Sequence, residues 1–81
     1  MENTKIDYLN IDYTSSEIQA AIKLSPHKTV AEISRRVGVS TRTVQHVISR
    51  NKKNYSVKSE KLIFVVLRPE LEGIYSLRNV L

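Results

Sequence analysis

With 81 residues the chain has room for one domain, near the size at which a single core is marginal and burial against a second copy would help. There is no cysteine, which excludes a disulfide framework or a thiolate metal site, and the longest apolar run, Leu62 to Leu67, is far short of a membrane span. A soluble, cytoplasmic protein is expected, and its formal charge of +5 is uneven: residues 1–27 carry −2, residues 28–61 carry nine basic residues against Glu32 and Glu60 for +7, and the remainder balances.

Residues 1–14 read two ways. Ile6 and Tyr8, and again Ile11 and Tyr13, stand two residues apart as in an extended segment, whereas Tyr8, Leu9 and Tyr13 share one side of a short helix. An N-terminal arm or edge strand is the favoured expectation, because disordered tails are poor in such apolar and aromatic residues. Ser15 and Ser16 precede Glu17, a helix start with an acidic first turn, and Ile18, Ala21, Ile22 and Leu24 continue a helical stripe. Ser25-Pro26-His27 ends it, since proline cannot continue the hydrogen-bonded ladder. His27 reads as an exposed loop residue.

The stretch from Thr29 to Arg50 organises the rest. Thr29 and Glu32 have the spacing of a capping box, so a helix should begin at Val30, with Val30, Ile33 and Val37 on its buried face and Arg35 and Arg36 projecting elsewhere. Gly38 stops that helix because glycine reaches the left-handed conformation without a side-chain penalty. Ser40 then caps a second helix, Thr41 to about Asn51, whose apolar stripe is Val44, Val47 and Ile48. Asn51 to Asn54 either prolongs this helix or forms a basic exit loop.

Leu62 to Leu67 is a continuous apolar run rich in branched and aromatic residues, which reads as a buried strand. Pro69 and Gly73 punctuate a turn, and residues 74–81 return as a second strand. Two alternatives stay open. Tyr55 to Val57 can pair with the run across a basic tip at 58–61, or Pro69 can open a helix that aligns Leu71, Ile74, Tyr75 and Arg78 on one face, against which Gly73 counts by roughly 1 kcal/mol.

The pattern Ser34, Gly38, Val44, a small residue followed four residues later by a turn glycine and six later by an apolar residue, resembles the helix-turn-helix of prokaryotic, archaeal and phage DNA-binding proteins. Ser34 departs from the usual alanine, but it is nearly as small and its hydroxyl can bond a carbonyl one turn earlier. With the hairpin, the resemblance is to the winged group. It implies a mainly α fold with a small β-hairpin: a three-helix core within a domain over 15–81, the helix-turn-helix at 29–51 and a wing over 62–81.

In that group the second helix enters the DNA major groove. The resemblance then implies that Thr41, Arg42, Gln45, His46 and Ser49 face base edges. Their chemistry suits this role, since Arg42 can bond a guanine edge bidentately and Gln45 an adenine. Lys28, Arg35, Arg36, Ser40, Thr43, Arg50, Lys52 and Lys53 are assigned to phosphates, which fix register without reading sequence. A transcriptional regulator is the expected function: a nucleoid-associated homodimer on double-stranded DNA, with no cofactor, metal or small-molecule substrate implied.

A protein-interaction module of the same fold, binding a transcription or replication component, is the alternative. An enzyme is disfavoured, because His27 and His46 lie apart, the acidic residues form no obvious pair and no phosphate-cradling glycine loop is present. RNA binding is weaker still for want of a stacking platform.

Overall fold

A computed structural model describes residues 7–26 and 29–80, the last two by their backbone alone. The described chain is helical: α1 (Ser15–Leu24), α2 (Val30–Val37), α3 (Thr41–Ile48), a single 3-10 turn (Lys52–Asn54), α4 (Val57–Val66) and α5 (Arg68–Val80).

Each of the first four helices begins on a hydroxyl cap. Thr14 opens α1 with a full capping box: its side chain accepts from the Glu17 amide at 3.1 Å, and the Glu17 carboxylate accepts from the Thr14 amide at 2.8 Å. This places the start one residue before the expected serines. Thr29, Ser40 and Ser56 cap α2, α3 and α4 by accepting from the amides of Glu32, Thr43 and Ser59. Such a cap satisfies one of the amides that the first turn leaves unpaired and contributes about 1 kcal/mol.

The core draws on every helix. Ile18, Ala21 and Ile22 of α1, Ile33 of α2, Val44 and Val47 of α3, Ile63 and Phe64 of α4, Leu67 and Leu71 are buried together with Tyr13. Val30, Val37, Val39 and Ile48 pack around them half-buried. The apolar face expected for the helix-turn-helix is therefore the one that is covered. Ser34 is also buried, and its hydroxyl donates to the Ala31 carbonyl at 2.9 Å, so the polar atom in the alanine place is satisfied within its own helix.

The expected wing over 62–81 is overturned. No strand occurs among the described residues, and the fold is all-helical rather than mainly α with a β-hairpin. The Leu62–Leu67 run continues α4 into a single junction residue, Leu67, and buries Ile63, Phe64 and Leu67 at helical spacing while Leu62 and Val65 face outward. A six-residue apolar run has no periodicity that separates a buried strand from a helix. The helix that carries the run starts well before it, at the Ser56 cap.

Pro69 and Gly73 make no turn. Pro69 lies in the first turn of α5, where a missing N–H is tolerated, and Gly73 lies within the helix in open space. The break between α4 and α5 falls at Leu67, whose ψ of 7° departs from the helical value, and Pro69 has no amide to offer the Val65 carbonyl. The face anticipated for a terminal helix, Leu71, Ile74, Tyr75 and Arg78, is the one α5 presents to the rest of the molecule. Leu71 is buried, Ile74 and Tyr75 pack on the core, and Arg78 forms a bidentate ion pair with Glu17 of α1.

Of the expected arm or edge strand at 1–14, residues 1–6 lie outside the described residues, and the rest folds back as a turn rather than a strand. The Asn10 amide donates to the Asp7 carbonyl at 3.1 Å. Tyr13 is buried edge-on against Phe64, with ring centroids 5.3 Å apart, and its hydroxyl donates to the Tyr8 carbonyl at 3.0 Å. Burial is the main reason its phenol pKa rises to about 12. Tyr8 in turn meets the Tyr75 ring edge-on at 5.9 Å. Tyr8 and Tyr13 thus pack this turn against α5 and α4.

Candidate nucleic-acid interface

Gly38 joins α2 to α3. It adopts φ 83° and ψ 27°, the left-handed region, and its amide and that of Val39 both donate to the Ser34 carbonyl, at 2.8 and 3.2 Å. The chain therefore reverses in very few residues, and Ser40 starts α3 at once. Ser40 Oγ accepts from the Thr43 amide and lies 3.0 Å from the Thr43 hydroxyl. Both hydroxyls are thereby engaged at the helix start.

Helix α3 divides cleanly. Val44 and Val47 are buried and hold it against the core. On the opposite side Thr41, Arg42, Gln45 and Ser49 are exposed and His46 is half-exposed. At about 100° per residue these five positions fill one arc of about 140°. The proposed base readers are therefore brought together on one face. Ser49 stands at the C-terminal end, where its hydroxyl donates to the His46 carbonyl at 3.2 Å.

The basic residues do not all share that surroundings. Arg35 and Arg36 project from the last turn of α2 into solvent, and Arg35 bonds Glu32 at 2.6 Å across one helical turn. With Arg35 72% exposed, that pair is worth little and leaves the guanidinium free to exchange partners. Lys52 and Lys53 are exposed on the 3-10 turn after α3, with the Lys52 ammonium 3.9 Å from Asp12. Lys28 and His27 lie outside the described residues. Arg50 stands apart from the others: its guanidinium turns inward between Asp12 and Glu60, 3.3 Å from each, and only 15% of the side chain is exposed.

Helix α3 is shorter than expected, ending at Ile48 rather than near Asn51. The end is a hydrogen-bonded reversal in which Asn51 donates to the His46 carbonyl at 2.9 Å and Arg50 to the Val47 carbonyl at 3.1 Å. This geometry places Arg50 at φ 60°, and it is the one non-glycine residue with positive φ among the described residues. Nothing in the sequence pattern marks that position, because glycine is the residue that signals such a turn.

A capped, glycine-turned pair of helices with a polar, uncovered second helix and a basic border defines a helix-turn-helix protein. The homeodomain-like domain model matches residues 12–56, more than half of the chain, so the protein belongs to that helix-turn-helix family, whose members are DNA-binding domains. No curated protein and no solved structure matches the chain. The matched span runs from just before α1 to the cap of α4, so it takes in α1, α2 and α3 and leaves α4 and α5 outside it.

Proposed function

We propose that this protein is a sequence-specific transcriptional regulator that lays α3 in the DNA major groove, with Thr41, Arg42, Gln45, His46 and Ser49 facing base edges. The observation that carries the reading is the single exposed arc formed by those five residues opposite Val44 and Val47. Arg42 supplies a bidentate donor for guanine and Gln45 a donor–acceptor pair for adenine. His46 is a donor or acceptor according to its tautomer. Arg35, Arg36, Lys52 and Lys53 flank the arc and contact phosphates, joined by Lys28 and by whatever capacity the Ser40 and Thr43 hydroxyls retain beyond capping.

One such module buries modest area, so useful affinity comes from two copies on a two-fold symmetric site. Selection of bound sequences from a random duplex pool tests both points. A symmetric motif supports specific dimeric binding, whereas no enrichment together with an affinity insensitive to salt refutes DNA as the partner. With about five phosphates neutralised per copy, log affinity falls against log salt with a slope of about −4 to −5 for each copy bound.

A second reading, attachment to another protein, is favoured by one feature of α4. Val57, Leu62 and Val65 are exposed on the outward arc that also carries Lys58 and Lys61. Sedimentation of the isolated chain and of its Val65→Ser variant separates the two: a dimer lost in the variant means that a second copy covers this face, which belongs to the first reading, whereas a monomer in both leaves the face open for a different protein.

A further inference from the structure

We infer that Arg50 is a positioning residue, which locks the C-terminal end of α3 to the N-terminal segment and to α4 and thereby fixes the pose in which the α3 arc meets DNA. The inference rests on the DNA-binding reading above. It assigns Arg50 a role different from that of the surface lysines and arginines around it.

The backbone is the first reason. At φ 60° Arg50 occupies the position after α3 where a glycine would avoid the side-chain penalty of the left-handed conformation. A side chain kept there against that penalty must return something, and a strained backbone beside a functional helix is a common place for such an exchange.

The side chain shows what is returned. One guanidinium nitrogen lies 3.3 Å from Asp12 of the N-terminal segment and 3.3 Å from Glu60 of α4. The guanidinium carbon stands 5.9 Å from the centroid of the buried Phe64 ring, which itself packs edge-on against Tyr13. Arg50 thus ties α3 to two other parts of the chain at once. Its other terminal nitrogen is buried without a hydrogen-bond partner among the described residues, a position from which no phosphate is reached.

The two arms are unequal. Asp12 is 82% exposed, so solvent screens it, whereas the Glu60 side chain is only 18% exposed. Swinging Arg50 out to a phosphate would leave Glu60 partly desolvated and unpaired. The pair with Glu60 is therefore the stronger arm of the lock.

The test uses the full chain with a duplex selected by the wild-type protein from a random pool, a random-sequence duplex and a salt titration of each. Arg50→Gly removes the lock and relieves the backbone. It is expected to lose about tenfold or more on the selected duplex, stay within about twofold on the random duplex and keep the wild-type salt slope. Arg50→Lys should not rescue, because an ammonium lacks the planar fork and the stacking surface. Glu60→Ala keeps the positive charge and breaks the same lock, so it should reproduce the loss of discrimination.

Hydrogen exchange of the free protein provides the DNA-independent readout, with faster exchange expected at Ser49 to Asn51 in both Arg50→Gly and Glu60→Ala. Equal losses on both duplexes, a salt slope shallower by about 1 and rescue by lysine would make Arg50 a phosphate contact and overturn the inference. Unchanged discrimination in folded Arg50→Gly and Glu60→Ala would overturn it as well. Failure of the wild-type chain to bind either duplex sinks the DNA reading instead, and unchanged exchange then removes the lock separately.

Discussion

Replacing Gly38 and Gly73 by alanine, one at a time, should move stability in opposite directions. At Gly38 the added Cβ would meet nothing within 4 Å, so no neighbour has to shift and the whole effect lies in the backbone. Holding an L-residue at φ 83° costs about 1–2 kcal/mol. Restricting the unfolded chain returns about 0.4–1 kcal/mol, which leaves a net loss of about 1 kcal/mol. At Gly73 the Cβ also meets open space, but φ is not positive and the residue lies within α5. Alanine there gains about 0.8–1 kcal/mol of helix propensity. Thermal unfolding followed by circular dichroism reads both, as a fall and a rise in Tm of about 4–8 °C each. Gly38→Asn should recover part of the loss, since asparagine tolerates the left-handed region. A loss above about 3 kcal/mol at Gly38, or the same sign at both glycines, would refute this account of the turn.

Arg42→Ala should cost about 1–3 kcal/mol on the selected duplex and relax the preference at one base position, whereas Lys53→Ala should weaken all duplexes alike and make the salt slope shallower by about 1. Mobility shift across several salt concentrations checks both, and identical behaviour of the two variants removes the division into readers and positioners. The Glu17 carboxyl is held below its ordinary 4.5, chiefly by its hydrogen bond from Arg78; burial opposes this, and the Thr14 amide adds a lesser lowering. Its contribution is present above the ordinary carboxylate range and disappears as pH falls through the lowered value. The stability gap between wild type and Glu17→Gln should therefore be widest near neutral pH and close in acid, as Tm against pH will show; a gap constant down to pH 2 counts against it. Ser34→Ala should be neutral or stabilising by up to about 0.5 kcal/mol in urea unfolding, because the Ser34 hydroxyl bonds only its own helix.

The helix-turn-helix was legible because its determinants are local. Thr29, Gly38 and Ser40 act on backbone groups within three or four residues, and Ile33, Val37, Val44 and Val47 report a buried face by spacing alone. The C-terminal third was legible only in part: the face of α5 could be read as one alternative, but a continuous apolar run conceals its period and Pro69 and Gly73 signal turns as readily as they occupy helices. Within the candidate site, the arc from Thr41 to Ser49 follows from helical geometry. The inward turn of Arg50 does not, because it depends on Asp12 and Glu60, 38 and 10 residues away. Tyr13 was obscured for the same reason, its burial depending on Phe64 far along the chain.

The ion pair between Glu17 and Arg78 spans 61 residues of sequence. Bringing those ends together in an otherwise open chain costs about 3.6 kcal/mol of closure entropy, so the α1–α5 contact is a poor nucleus. The pairing of α2 with α3, separated by little more than Gly38, is a far cheaper beginning. On a stopped-flow chevron, Arg78→Ala should therefore steepen the loss of the native state, raising the unfolding rate while the refolding rate stays close to wild type. The docked terminal helix would then act as a latch that closes last and governs how long the folded protein lasts.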